Sequence, residues 1–243
     1  VYTIARVSVF QDPLLARKKT EWAIKSKYGG LWYDDNGLAW VDPTRQEVWD
    51  YNIKIAKEAV RAGFDEINFD YIRFPTAGNM SAIVYTNGNQ KRYEVVESFF
   101  KYLSKSMKNQ PAYISADLFG LTTEKGGEDD MNIGQRLQDA VKYFDYVCPM
   151  VYPSHYPPGY MGFQNPAEYP YEVVYNAMSK GQKKTIGKKA KLRTWIQVFN
   201  MGAIYDAQKI RAQIDASDKA GADGWLMWNA WNTYTTAGLK MEK

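Results

Sequence analysis

Two acids, Asp70 and Asp117, each close a short apolar stretch, and their type and placement could do chemistry. In the run Gly63–Pro75 (G-F-D-E-I-N-F-D-Y-I-R-F-P), Ile67 and Phe69 alternate with Asn68 and Asp70. That is the period of a strand whose two faces see different surroundings. Asp is disfavoured in strands, so an acid in line there needs a reason. A turn closed through its own backbone is the plain alternative. Asp117, in S-A-D-L-F-G, falls in the same phase of its own stretch. Two carboxylates about 5–5.5 Å apart perform retaining glycoside hydrolysis, one as nucleophile and one as acid/base. Adjacent strands, about 4.8 Å apart, make such a spacing feasible. Arg73 is the expected charge neighbour of Asp70. Asp117, among Tyr113, Leu118 and Phe119, is expected to be desolvated towards acid duty. The competing reading makes one acid structural, paired with Arg73 or Arg6.

The elements that must position these acids alternate along the chain. Strands are predicted over Tyr2–Phe10, Glu66–Tyr71, Ala112–Leu118, Tyr146–Tyr152, Leu192–Phe199 and Gly224–Asn229. Helices are predicted near Arg45–Ala62, Arg92–Lys108, Ile133–Tyr143, Ala167–Lys183 and Tyr205–Ala220. The first helix carries Val48, Ile55, Ala56, Ala59 and Val60 on one face, with Pro43-Thr44 as a start signal and Gly63 as a stop. Strand–helix repetition implies a parallel sheet with covering helices.

A doubly wound sheet and a (β/α)8 barrel compete. The first should show a Gly-rich phosphate turn after an early strand, and Gly126-Gly127 lies instead in an acidic loop. Its strands, covered on both faces, should also be almost wholly apolar. Here Arg6, Ser8, Asn68, Asp70, Ser115, Asp117, Tyr152 and Gln197 recur on one face, which suits a barrel axis. The expected fold is therefore an α/β TIM-type barrel forming a single domain over residues 1–243. Six strands are counted where eight are needed. The first one or two βα units are therefore expected upstream of Val1; the alternative is that a loop such as Gly78–Tyr85 supplies a strand.

Composition narrows the function. With 45% hydrophobic residues in 243, the chain can bury a large core. No apolar run approaches the roughly 18 residues of a membrane span, and no signal-peptide pattern is read in residues 1–243. The net charge of +4 is scattered apart from Lys180–Lys191, which reads as a solvated face. No basic stripe interleaved with stacking aromatics points to nucleic acid. One Cys (Cys148) and one His argue against a disulfide framework and a zinc site, and neither metal nor cofactor is expected. Glu128–Asp130 reads as a solvated acidic loop rather than a calcium site.

The 8 Trp and 19 Tyr suit the flat apolar faces of sugar rings, though packing could also use them. Barrel sites form at the C-terminal ends of strands. The substrate-binding set read from those ends and their loops is Arg73, Phe119, Tyr152, His155, Gln197, Trp228 and Asn229, with Trp40 from the Trp/Tyr-rich loop Lys27–Asp42. His155 is as readily structural as substrate-facing, and Trp228 and Gln197 could equally serve core packing. Asp12 and Asp42 each precede Pro, which favours a turn role.

Taken in order, I-A-R-V-S-V-F-Q-D-P-L-L-A (Ile4–Ala16), G-L-W-Y-D-D-N-G-L-A-W-V-D-P (Gly30–Pro43), the Gly63–Pro75 run, S-A-D-L-F-G, P-M-V-Y-P-S-H-Y (Pro149–Tyr156) and W-L-M-W-N-A (Trp225–Ala230) resemble the bacterial putative glycosyl hydrolase domain family. The resemblance implies a barrel, a carbohydrate substrate, about two further βα units before Tyr2–Phe10, and a secreted or cell-surface location. A fainter likeness is to the chitinase-like glycoside hydrolase family 18. Its D-x-x-D-x-D-x-E motif would fall on Asp65, Asn68, Asp70 and Ile72, its M-x-Y on Met150 and Tyr152, and its last-strand Trp on Trp228. Ile72 replaces the acid that substrate-assisted chemistry needs, so chitinase activity is not expected. Two functions follow: a retaining hydrolase of a polysaccharide or cell-wall glycan, or a carbohydrate-binding scaffold barrel without catalysis. Neither sugar identity nor oligomeric state can be read from the sequence.

Overall fold

A computed structural model describes residues 1–86 and 90–239. Six parallel strands pair in chain order: β1 (Ile4–Ser8), β2 (Glu66–Asp70), β3 (Tyr113–Phe119), β4 (Tyr146–Val151), β5 (Thr194–Gln197) and β6 (Trp225–Trp228). A two-residue piece, Lys191–Leu192, leads into β5 and also pairs with β4. Each of the six lies inside or within a residue of its predicted stretch. Registers such as Ser8↔Asp70 and Phe69↔Ala116 set the inward acids side by side.

Helices α2 (Gln46–Arg61), α3 (Arg92–Met107), α5 (Pro170–Thr185) and α6 (Ala207–Lys219) cover the outer face of this sheet, and a short α1 (Pro13–Lys18) follows β1. The outward residues of β2, Ile67 and Phe69, are wholly buried. Phe69 meets Phe144, which in turn meets Phe100 of α3 edge-on. Val95, Val96, Phe99, Phe100, Leu103 and Met107 form the buried stripe of α3, the 3.6-residue period of a helix on a core. Gly63 stops α2 at φ +95°, with Phe64 N donating to Ala59 O, the left-handed end that favours glycine. Thr44 does not cap α2: Arg45 holds that position, and the Thr44 hydroxyl donates to Asp42. Asp42, buried, also accepts from Thr86 N and Oγ1, and Asp12 caps α1.

One expectation and one alternative fail. The helix predicted over Ile133–Tyr143 shrinks to α4 (Leu137–Ala140). Met131, Asn132 and Gly134 all take positive φ, and a Cβ on Gly134 would lie 2.6 Å from Val96 Cγ2, so the chain there follows α3 too closely to coil. The loop Gly78–Tyr85 supplies no barrel strand. Its Ile83–Val84 pairs antiparallel with Lys25–Ser26 in a separate two-stranded sheet.

β1 and β6 are not paired with each other, so the sheet is a half-barrel. It is nonetheless strongly curved. Arg6 of β1 stacks over Trp228 of β6 at 4.7 Å, and Arg193 beside β5 reaches Glu66 of β2 at 3.0 Å. Side chains of non-adjacent strands thus meet on the concave face. No helix among the described residues is long and apolar enough to cross a membrane.

Candidate active site

Polar side chains run up the concave face in a continuous ladder. At its base Glu66, fully buried, accepts from Arg193, from Tyr2 OH at 2.7 Å and from Ser115 Oγ at 2.6 Å. Asn68 Nδ2 then donates to Ser115 Oγ at 3.0 Å and to Asp117 Oδ1 at 2.8 Å. At the top, Asp70 and Asp117 face the C-terminal rim. A buried carboxylate or amide left without partners is costly; the ladder supplies partners to the Glu66 and Asp117 carboxyls and to Asn68 Nδ2, while Asn68 Oδ1, also buried, has none among the described residues.

Arg6 binds both acids. Its Nη2 pairs with Asp70 Oδ2, and its Nε lies 3.7 Å from Asp117 Oδ2. Burial alone would lower the Arg6 pKa, but the two carboxylates raise it. Asp117 Oδ1 accepts a second bond from Trp195 Nε1 at 2.7 Å. The Asp117 pKa is pushed up to about 8, first by burial and then by the charge of Asp70, against the lowering effect of Asn68, Trp195 and Arg6. Tyr71, immediately after Asp70, takes φ +52° and donates its N–H to Asp70 Oδ1 at 2.6 Å. A non-glycine residue in this region stores strain, spent here on turning the chain sharply at the strand end.

A cleft of about 420 Å³ opens over the acids, lined by Arg6, Asp70, Arg73, Asp117, Tyr152, His155 and a ring of apolar side chains. Phe119, Trp195 and Trp228 are among the latter, with the two indoles edge-to-face at 5.9 Å. Burial lowers the His155 pKa and raises that of Tyr152, so both are neutral at pH 7.

The cleft gathers Asp70, Asp117, Arg73, Phe119, Tyr152, His155 and Trp228 from the predicted set. It does not gather Gln197, Asn229 or Trp40. Gln197 accepts from Ser154 N and donates to Phe199 O and Met201 O, so its amide is spent tying two rim loops together. Asn229 donates to Val198 O and accepts from Trp231 N. Trp40 is buried beneath Arg73, its Nε1 bonded to Asp34. The ion-pair partner of Asp70 is Arg6; Arg73, its expected charge neighbour, interacts with it electrostatically but lies beyond ion-pair distance. Arg6 was legible as an inward polar residue, though not as a bridge. Trp195, two residues before Gln197 on the same strand face, was the overlooked donor.

The family follows from comparison. A family model described as "Putative glycosyl hydrolase domain" matches residues 1–234. The chain belongs to this family. No curated protein matches the sequence. A hypothetical protein from Ruminiclostridium thermocellum is 41% identical with TM-score 0.44, over 48% of this chain and 58% of that one; this chain therefore spans little more than half of that relative. The PgaB (BpsB) glycoside hydrolase domain from Bordetella bronchiseptica superposes with TM-score 0.62 at 13% identity, over 94% of this chain and 70% of its own. The glycoside hydrolase domain of PelA from Pseudomonas aeruginosa gives 0.53 at 10% identity, over 96% and 80%. At these identities the likeness concerns the fold. This member of the family thus shares its architecture with glycoside hydrolase domains.

Proposed function

We propose that the protein is a retaining glycoside hydrolase acting on a polysaccharide or cell-wall glycan, with Asp70 as nucleophile and Asp117 as acid/base. The observation that carries this reading is the bridging guanidinium of Arg6, which touches both carboxyl groups, with one acid ion-paired and the other kept protonated by burial. Two carboxyl groups whose surroundings separate their protonation states are the usual signature of an acid and a nucleophile. Their lateral placement on adjacent strands suits the roughly 5–5.5 Å of retaining enzymes better than the wider inverting gap.

The protonation site follows from the bonds. Asn68 and Trp195 both donate to Asp117 Oδ1, so the acid proton resides on Oδ2, on the cleft side. In the first step Asp70 attacks the anomeric carbon while Oδ2–H passes its proton to the departing glycosidic oxygen. In the second, the Asp117 carboxylate takes a proton from water, whose oxygen attacks the same carbon and frees Asp70. Trp228, Trp195 and Phe119 offer apolar faces for the sugar rings. The proposal includes a full (β/α)8 barrel, in which two further strands join the unpaired β1 and β6 edges, and a secreted or surface location as in the resemblance above.

A second reading, a sugar-binding barrel without turnover, is favoured by the engagement of Asp70: Arg6 and Tyr71 N between them hold both its oxygens. The deciding experiment is a screen of bacterial cell-wall and plant polysaccharides with product analysis. Turnover by the wild type that disappears in Asp70→Asn, with glycan binding kept and the β-anomer or α-anomer retained in early products, supports hydrolysis. Binding without cleavage across the screen supports the scaffold.

A further inference from the structure

The charge balance of the cleft leaves one cation over. Arg6 pairs with Asp70, Asp117 is neutral at pH 7, and His155 and Tyr152 are neutral as well. Arg73, also in the cleft wall, has no carboxylate within ion-pair distance among the described residues. Its nearest acids are otherwise engaged. Asp70 is taken by Arg6, and Asp34 accepts from Trp40 Nε1, Gln11 Nε2 and the backbone N–H groups of Asn36 and Leu38.

Arg73 is held by packing rather than by charge. Its guanidinium lies over Trp40 at 5.0 Å, Phe119 at 5.1 Å and Tyr71 at 5.4 Å. Only Nη1 is used, donating to Phe74 O at 3.1 Å and, more weakly, to Thr76 Oγ1 at 3.5 Å. Nε and Nη2 make no hydrogen bond among the described residues. This is the edge of the guanidinium whose two parallel N–H groups fit a planar oxyanion in bidentate fashion. Burial lowers the Arg73 pKa more than the charges of Tyr71, Asp70 and Asp34, none of them ion-paired with it, raise it. A stacked, fixed, uncompensated guanidinium in an apolar cleft is costly to the free protein and favourable only when an anion arrives.

We propose that Arg73 is an anion-binding subsite of the cleft, so that the glycan recognised carries a carboxylate or phosphate near the bond that Asp70 and Asp117 flank. The inference rests on the reading of this cleft as a glycan site, and it adds the substrate's charge. Its test is binding, measured by calorimetry on wild-type protein at low salt and low temperature. Three pairs of ligands are used: a uronic-acid polysaccharide and the same polymer after carboxyl reduction, a sugar-phosphate polymer before and after phosphate removal, and a neutral polymer with its sulfated derivative as a control for charge alone. At least one acidic polymer of the first two pairs should bind about tenfold or more tighter than its neutral counterpart, the worth of one charge-assisted bidentate contact. Which pair shows the gap tells carboxylate from phosphate. Arg73→Gln should close most of the gap by weakening the acidic polymer far more than the neutral one. Arg73→Lys, which keeps the charge without the fork, should retain part of it, and thermal melting checks that each variant is folded. Equal binding of acidic and neutral forms, a preference for the sulfated control alone, loss of both forms in Arg73→Gln, or no binding of any acidic polymer overturns the proposal. An acidic polymer bound through Arg73 but never cut leaves it standing and removes the hydrolase reading instead.

Discussion

In the proposed mechanism most of the chemistry turns on Asp117, whose two oxygens have different surroundings. Oδ1 is fixed by Asn68 and Trp195, and Oδ2 faces Arg6 and the cleft. Its proton is held up to about 8, so kcat/KM is expected to fall as pH rises past that value. Donors to a carboxylate favour its charged form. Trp195→Phe removes one of them and is therefore expected to move this alkaline limb to higher pH; a limb that stays put would dissociate it from Asp117. Asp117→Asn should lower kcat/KM by about 10²–10⁴ for glycosides with poor leaving groups. An activated aryl glycoside, whose leaving group needs no proton, should suffer far less. Equal losses for both substrates would assign Asp117 some other role.

At the scale of elements, the rim is held by side chains that the strands themselves send upward. Gln197, the last residue of β5, fastens the turn Pro153–His155 that carries His155 into the cleft. Gln197→Ala removes the bonds that hold two partly exposed rim loops together and is expected to cost about 1 kcal/mol. KM should rise more than kcat falls, since no reacting group is removed. Gly120, just after β3, allows a close approach of strand ends: a Cβ there would lie 2.6 Å from Met150 O and 2.7 Å from Tyr156 OH. Backbone cannot yield as a flexible side chain can, so Gly120→Ala should lower both Tm and activity. An unchanged Tm would show that β3 and β4 tolerate separation at the rim.

For the molecule as a whole, the buried acid links function to stability. Folded Asp117 binds its proton up to about 8, whereas the unfolded chain releases it near 3.9, as free Asp does (about 3.9). The folded state therefore holds the extra proton between these values. This contribution to stability is complete below about pH 4 and is lost as pH rises towards 8. Asn cannot ionise, so Asp117→Asn is expected to raise Tm relative to wild type at pH 8 and much less at pH 4.5. A constant difference across that range would refute the raised proton affinity. Strain at Tyr71 and the unpaired Arg73 belong to the same pattern, stability given up where a site is built.

The six strands were legible in the sequence because alternation of apolar and polar residues is a local property, imposed by a pleat of period two. The same period identified Asp70 and Asp117 as inward neighbours, and the aromatic-rich strand ends located the rim. Local signals failed where the competing force was tertiary. The turn chemistry at Met131–Gly134 and the packing of Gly134 on Val96 displaced most of a helix that periodicity favoured, and Gln197, Asn229 and Trp40 carried sugar-binding side chains but were consumed by loops behind the wall. The identity of each charge partner was also beyond the sequence. Arg6 and Asp70 stand 64 positions apart, and Asp117 and Trp195 78. Only the curvature of the sheet brings strands from its opposite ends over one cleft. Direct pairing of β1 with β2 gave Asp70 to Arg6, curvature laid Arg6 over Trp228, and Arg73, three residues from Asp70 in the chain, was left stacked on rings and without an anion.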